Sequence, residues 1–259
     1  MTGGMFTSGL SASEFLLVRD AGFEPAGLVM GSSVCHIALP PTVTSVAQLT
    51  GPSFGTIFSN VPKDGGEVAE LSRAMSLARG TATTRLEEDA RGLGADGVID
   101  IRVESEWDSW YAGALEFTMT GTAVRRVGAA PGSAAGDRLF TCDLSGQDFW
   151  KLLQSGHRPA GLVIGYCAYA AEPDSALSNR ELAGPTRAIY TARRLAVARM
   201  RNEAGHLGAT GIVGVRLDGL GGLSRPAGSR TVEFRAAGTA IAPVMDTQTM
   251  QPSATALGL

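Results

Sequence analysis

Cys35 and His36 stand side by side, and a thiolate with an imidazole is the ligand pair that a soft or borderline metal ion prefers. Neighbours on a strand point to opposite faces, so this pair cannot easily share one ion within a chain. Cys167 is a third candidate ligand, but no CxxC spacing joins the three cysteines, and His157 and His206 have no histidine counterparts in the other half of the chain. Asp96, Asp100 and Glu104 alternate along an expected strand, the pattern of a hard-cation site or, more simply, of a solvated face. No Gly-x-Ser-x-Gly, HExxH, Walker loop or dinucleotide fingerprint occurs, so no catalytic residue is assigned and the chain reads as non-enzymatic.

Two further groups have side chains suited to recognition. Trp107, Trp110 and Tyr111 fall on an expected hairpin tip, where aromatic side chains can anchor a protein partner or fold back on their own sheet. Arg187, Arg193, Arg194, Arg199 and Arg201 share one expected helix without interleaved aromatics, which argues for solvation or contact with an acidic neighbour rather than for nucleic acid. The charge balance agrees: the net charge is -3, and residues 1–130 hold nine Lys/Arg against fifteen Asp/Glu while residues 131–259 hold thirteen against ten. Such a chain has no global reason to seek a polyanion. Three cysteines, an odd number with no leader ahead of them, fit a reducing cytoplasm, and the apolar stretch at Leu16, Leu17 and Val18 is too short to span a bilayer.

The elements that position these residues come in two copies. Residues 10–31 (LSASEFLLVRDAGFEPAGLVMG) align without gaps on residues 144–165 (LSGQDFWKLLQSGHRPAGLVIG). Residues 85–104 (RLEEDARGLGADGVIDIRVE) align on residues 199–218, and residues 115–124 (LEFTMTGTAV) on residues 232–241 (VEFRAAGTAI). The offset drops from 134 to 114 between the first two blocks, so repeat one carries an insertion at about residues 37–66. This divides the chain into repeat one (residues 10–127), a Gly/Ala/Ser/Pro linker (residues 128–138), repeat two (residues 139–245) and a tail (residues 246–259) expected to be disordered.

Within each repeat, Ser11 with Glu14 and Ser145 with Asp148 have capping-box spacing and predict a short opening helix ending near Gly22 or Gly156. An apolar strand follows. Leu71, Met75, Ala78, Ala82, Leu86, Ala90 and Leu93, and in the other copy Ile189, Ala192, Ala196, Met200, Ala204 and Leu207, recur at helical spacing and predict a long helix closed by Gly94 or Gly208. Two Val/Ile-rich strands then form an antiparallel hairpin. The expected fold class is α+β: two small domains, each a three-stranded antiparallel sheet with one long helix on one face, each with its own core. Uncovered faces and edges on so small a sheet call for association with another subunit.

LGADGVIDIRVE with EFTMTGTAV, and LGATGIVGVRLD with EFRAAGTAI, resemble the YbjQ family, as do the upstream GLVMG and GLVIG strands. The resemblance covers most of both repeats. It implies a dodecin-like subunit shape, a homo-oligomer built as a pentameric ring, and a heavy-metal or small-ligand site at a subunit interface or ring axis. The residues available for a metal ion would be Cys35, His36 and Cys167. The leading expectation is a cytoplasmic, ring-forming scaffold or binding protein without a membrane span.

Overall fold

A computed structural model of the chain describes residues 6–36, 65–107, 114–128, 139–172, 174, 180–219 and 231–244, with only the backbone of Trp107. The elements run α1 (Ala12–Asp20), β1 (Phe23–His36), β2 (Gly66–Glu67), α2 (Ala69–Gly92), β3 (Gly97–Trp107) and β4 (Ala114–Arg126), then β5 (Phe140–Thr141), α3 (Gly146–Gln154), β6 (His157–Ala170), α4 (Ala183–His206), β7 (Gly211–Gly219) and β8 (Thr231–Pro243). The linker, the tail and nearly all of the insertion lie outside the described residues.

Local chemistry sets the element ends. At α1 the Ser11 hydroxyl accepts from the Glu14 amide at 3.3 Å while the Glu14 carboxylate accepts from the Ser11 amide at 2.9 Å, an exchange typically worth about 1 kcal/mol. The Ser11 hydroxyl also donates to the Glu14 carboxylate at 2.7 Å, and this bond, with the one from the Ser11 amide, holds the Glu14 carboxyl below its usual range. Both long helices run 24 residues and are followed by a left-handed glycine, Gly94 at φ 66° and Gly208 at φ 65°.

Sheet one has the order β1-β4-β3-β5 and sheet two the order β2-β6-β8-β7, so each has four strands where three are expected. The fourth strand comes from the other repeat in both cases. β5, which opens repeat two, pairs in parallel with β3, and β2, from repeat one, pairs antiparallel with β6. Each is two residues long and carries no periodicity of its own.

Two glycine positions explain why the motifs repeat. A Cβ on Gly31 would overlap the Ala82 carbonyl oxygen, and one on Gly165 the Ala196 carbonyl oxygen, so each long helix crosses its first strand with backbone nearly against backbone. Further along, Asp100 (φ 52°) and Gly214 (φ 64°) occupy equivalent bulges in β3 and β7, opposite Gly121 and Gly238 on the neighbouring strands.

Of the three core clusters one, around Val163, Ala196 and Met200, lies wholly within repeat two, while the other two run across both repeats and correct the expectation of one separate core per repeat. Leu71, Met75, Ala82 and Leu86 of α2 pack with Phe117 and Met119 of sheet one, and the same cluster continues onto Leu162, Ile164, Tyr166 and Ala168 of β6. Those β6 residues alternate with Val163 and Cys167, which face α4. A third cluster joins Val18, Phe23, Ile99 and Val124 to Cys142, Leu144, Phe149 and Leu152. Both faces of β6 are thereby covered, one by its own helix and one by repeat one.

Candidate assembly interface

β6 ends its sheet except for the two residues of β2, so the amides and carbonyls along its outer side need partners from elsewhere. Repeat one and the α4 side chains Arg199 and Glu203 supply them. The Val68 amide donates to the Ala168 carbonyl at 2.8 Å, and the Ala168 amide donates to the Ser72 hydroxyl at 3.1 Å. Arg79 donates to the Ile164 carbonyl at 3.1 Å and pairs with Glu203, whose carboxylate in turn accepts from the Ile164 amide at 3.0 Å. Arg199 donates to the Tyr166 carbonyl and to Glu67, each at 2.6 Å. Two Arg–Glu pairs of opposite polarity therefore bridge the repeats, and each arginine also donates to one strand carbonyl.

The other side of the joint is a strand addition. Phe140 lies over Gly97, where a Cβ would overlap its ring. The Cys142 amide donates to the Val98 carbonyl at 2.9 Å, the Ile101 amide to the Cys142 carbonyl at 3.1 Å, and the Asp100 amide to the Leu144 carbonyl at 3.0 Å. Residues 140–144 are held to their own repeat by side chains: the Leu162 amide donates to the Thr141 hydroxyl at 2.9 Å and the Asp143 amide to the Thr239 hydroxyl at 3.1 Å. Phe140 stacks on Phe149 (5.8 Å, 12°) and meets Phe23 edge-on at 5.9 Å.

Burial sets the electrostatics here. Asp143 takes the Thr239 hydroxyl at 2.5 Å and Arg216 at 2.9 Å, yet desolvation outweighs both and raises its carboxyl above the usual aspartate range. Desolvation also raises Asp100, against the pull of Arg102. The Cys142 thiol is pushed up to about 12 by full burial and the Cys167 thiol to about 11, so neither is a thiolate near neutral pH.

The candidate metal ligands do not meet in one chain. Cys35 is half-buried on β1, 3.3 Å from the Ser33 hydroxyl and packed against the α2 core, while His36 is exposed on the opposite face. Cys167 belongs to the other sheet and faces α4. Among the described residues no three His, Cys, Asp or Glu side chains converge, so these residues do not fit an intrachain chelate. The acidic alternation also breaks: Asp96 is buried before β3 and accepts from the Arg126 amide at 2.6 Å, Asp100 sits at the bulge, and Glu104 is exposed. Trp110, Tyr111 and the Trp107 side chain lie outside the described residues. Of the arginines on α4, Arg199 reaches acidic Glu67 of repeat one, the contact that charge asymmetry favoured.

Arg79, Glu203, Phe140 and Gly97 are the interface residues that motif reading missed. One signal for them was present. Phe6-Thr7 stands four residues before Leu10-Ser11 as Phe140-Thr141 stands before Leu144-Ser145, so the repeat begins before residue 10.

A family profile described as "Putative heavy-metal-binding" (YbjQ) matches residues 42–127 and 178–243, more than half of the chain and once in each repeat. The chain is similar to the Encapsulin nanocompartment protein Rv1762c of Mycobacterium tuberculosis, at 36% identity over 258 residues that cover 96% of this chain and 90% of the relative. It is also similar to UPF0145 proteins of Alkaliphilus metalliredigens, at 43% over 63 residues, and of Archaeoglobus fulgidus, at 35% over 91 residues. Those two matches take in 24% and 31% of this chain, and 59% and 82% of the respective relatives.

Proposed function

Because the chain belongs to the YbjQ family as a tandem duplication of its domain, we propose that it is a non-enzymatic scaffold protein whose work is to assemble with copies of itself. The observation that carries this reading is unequal burial at equivalent positions. Ile164 is 7% exposed and its counterpart Met30 is 56%; Met75 is 2% exposed and its counterpart Ile189 is 45%. A large apolar side chain stands at all four positions, but one chain covers only half of them. Leaving such surface in water costs about 25 cal/mol per Å² relative to burying it, which favours association.

The relative named as an encapsulin nanocompartment protein, matched along nearly its whole length, supports an assembly role over a role as a monomeric carrier. A closed ring, with the five-fold order that resemblance to single-domain members implies, is the finer form of the reading. A reducing cytoplasm suits three free thiols, two of them buried. No helix among the described residues is long and apolar enough to cross a membrane.

Native mass spectrometry of the purified chain tests the proposal. A defined oligomer at bare protein mass is expected. A monomer across the micromolar range would end the reading, and stoichiometric extra mass that a chelator removes would replace it with ion binding at an interface.

A further inference from the structure

The joint between the repeats has two unlike faces, and one chain uses each only once. Repeat one offers α2 and the edge of β3; repeat two offers β6 and residues 140–144. By the internal alignment, α4 and β7 are a second copy of the first face, while β1 and residues 6–10 are a second copy of the second. Among the described residues, neither of these second copies meets its complement.

The unused faces keep the chemistry of the used ones. Arg79 corresponds to Arg193, Glu203 to Asp89, Glu67 to Glu181 and Arg199 to Arg85, and all four counterparts are exposed. Residues 6–10 are already set as residues 140–144 are: the Leu28 amide donates to the Thr7 hydroxyl at 3.5 Å and the Gly9 amide to the Thr122 hydroxyl at 3.1 Å, matching the Thr141 and Thr239 contacts. Phe6 stacks on Phe15 (5.9 Å, 9°) as Phe140 stacks on Phe149. The seat under Phe140 is Gly97, and its counterpart Gly211 would have a Cβ touching only Ile241, at 3.5 Å. Beside Gly211, a groove of about 540 Å³ runs between α4 and β7, bordered by Arg193, Ile212, Val215 and Leu217. Val215 is 44% exposed there, while its counterpart Ile101, beneath the occupied joint, is 1% exposed.

Resting on the assembly reading above, we propose that copies of this chain join head to tail through a duplicate of the joint inside each chain. Residues 6–10 of one copy add as a parallel strand to the free edge of β7 in the next, with Phe6 over Gly211 and Thr7 opposite Ile212. In return α4 of that next copy covers β1, so that Leu182 and Ile189 meet Met30 and Val34. Arg193 pairs with Asp89 and the Met30 carbonyl, and Arg85 pairs with Glu181. The contact is heterologous, so each copy keeps one free face of each kind until a ring closes.

Charge reversal tests the pairing, because like charges set opposite each other in an interface oppose association. Arg193→Glu and Asp89→Arg are each expected to reduce the assembly to monomers, at least tenfold weaker by sedimentation velocity, with unchanged far-ultraviolet circular dichroism. Combining both substitutions in one chain is expected to restore assembly, since every joint is then doubly reversed whatever the number of copies in the ring. Gly211→Leu, whose Cβ would meet only Ile241 of its own chain, at 3.5 Å, and whose side chain would stand in the seat of Phe6, is expected to dissociate it as well. If the wild-type chain assembles and all three single variants assemble like it, this joint is wrong while the scaffold reading stands; dissociated single variants whose combination in one chain stays dissociated overturn the Arg193–Asp89 pairing. A monomeric wild type removes the scaffold reading itself.

Discussion

The ring of Phe140 occupies the space in which a Cβ on Gly97 would stand, so the first residue of β3 is a glycine because a side chain from the other repeat lies on it. Gly97→Ala is expected to destabilise the chain by about 1–3 kcal/mol through overpacking, read as a lower urea midpoint. Gly80, on α2 with nothing within 4 Å of its would-be Cβ, is the control. Gly80→Ala is expected to stabilise by about 0.5–1 kcal/mol through helix propensity and a less entropic unfolded chain.

Gly31 and Gly165 present a harder constraint, because the atoms a Cβ would meet belong to the α2 and α4 backbones and cannot turn aside. Gly31→Ala must push α2 off sheet one. A loss of more than about 3 kcal/mol is expected, in the range of the most disruptive core substitutions. Circular dichroism melts of Gly31→Ala and Gly165→Ala should show both falling well below Gly97→Ala.

Asp143 makes acid behaviour checkable. Its carboxyl is raised in the folded chain by desolvation, so the folded state binds its proton more readily than the unfolded state does. That contribution to stability is complete below the unfolded value of about 3.9 and is lost as pH rises through the raised folded value. Relative to Asp143→Asn, the wild-type chain should therefore gain stability as pH falls from 7 toward 4. Parallel denaturant titrations of the two proteins would show the difference; a gap that stays constant with pH would contradict the raised carboxyl.

The thiols should divide by burial. Cys142 and Cys167 are buried and pushed up to about 12 and about 11, whereas Cys35 is half-buried. Titration with a chromogenic disulfide reagent at pH 8 is expected to modify one thiol in the folded chain and three after denaturation. Peptide mapping should identify the fast one as Cys35.

How much was legible depended on how local the signal is. Ser11 and Ser145 marked helix starts, and Gly94 and Gly208 helix ends, because caps and left-handed glycines act within one turn of chain. The hairpins of β3 with β4 and β7 with β8 followed from apolar runs in order. The strand exchange did not: β2 and β5 are two residues each, and what pairs them is a partner edge distant in sequence. Arg79 and Glu203 lie 124 positions apart and belong to no motif, and only the fold sets them against each other.

The amino-acid sequence by itself determined that this protein is a duplicated α+β unit, since repetition, helical period and capping are properties of a linear string. Tertiary structure alone decided which copy of each face is buried. Met30 and Ile164 occupy the same position in the repeat, on equivalent strands, and differ in exposure because α2 covers one and no helix among the described residues covers the other. Burial belongs to a residue's neighbours in space, and a chain with two copies of an asymmetric joint can satisfy only one of them internally.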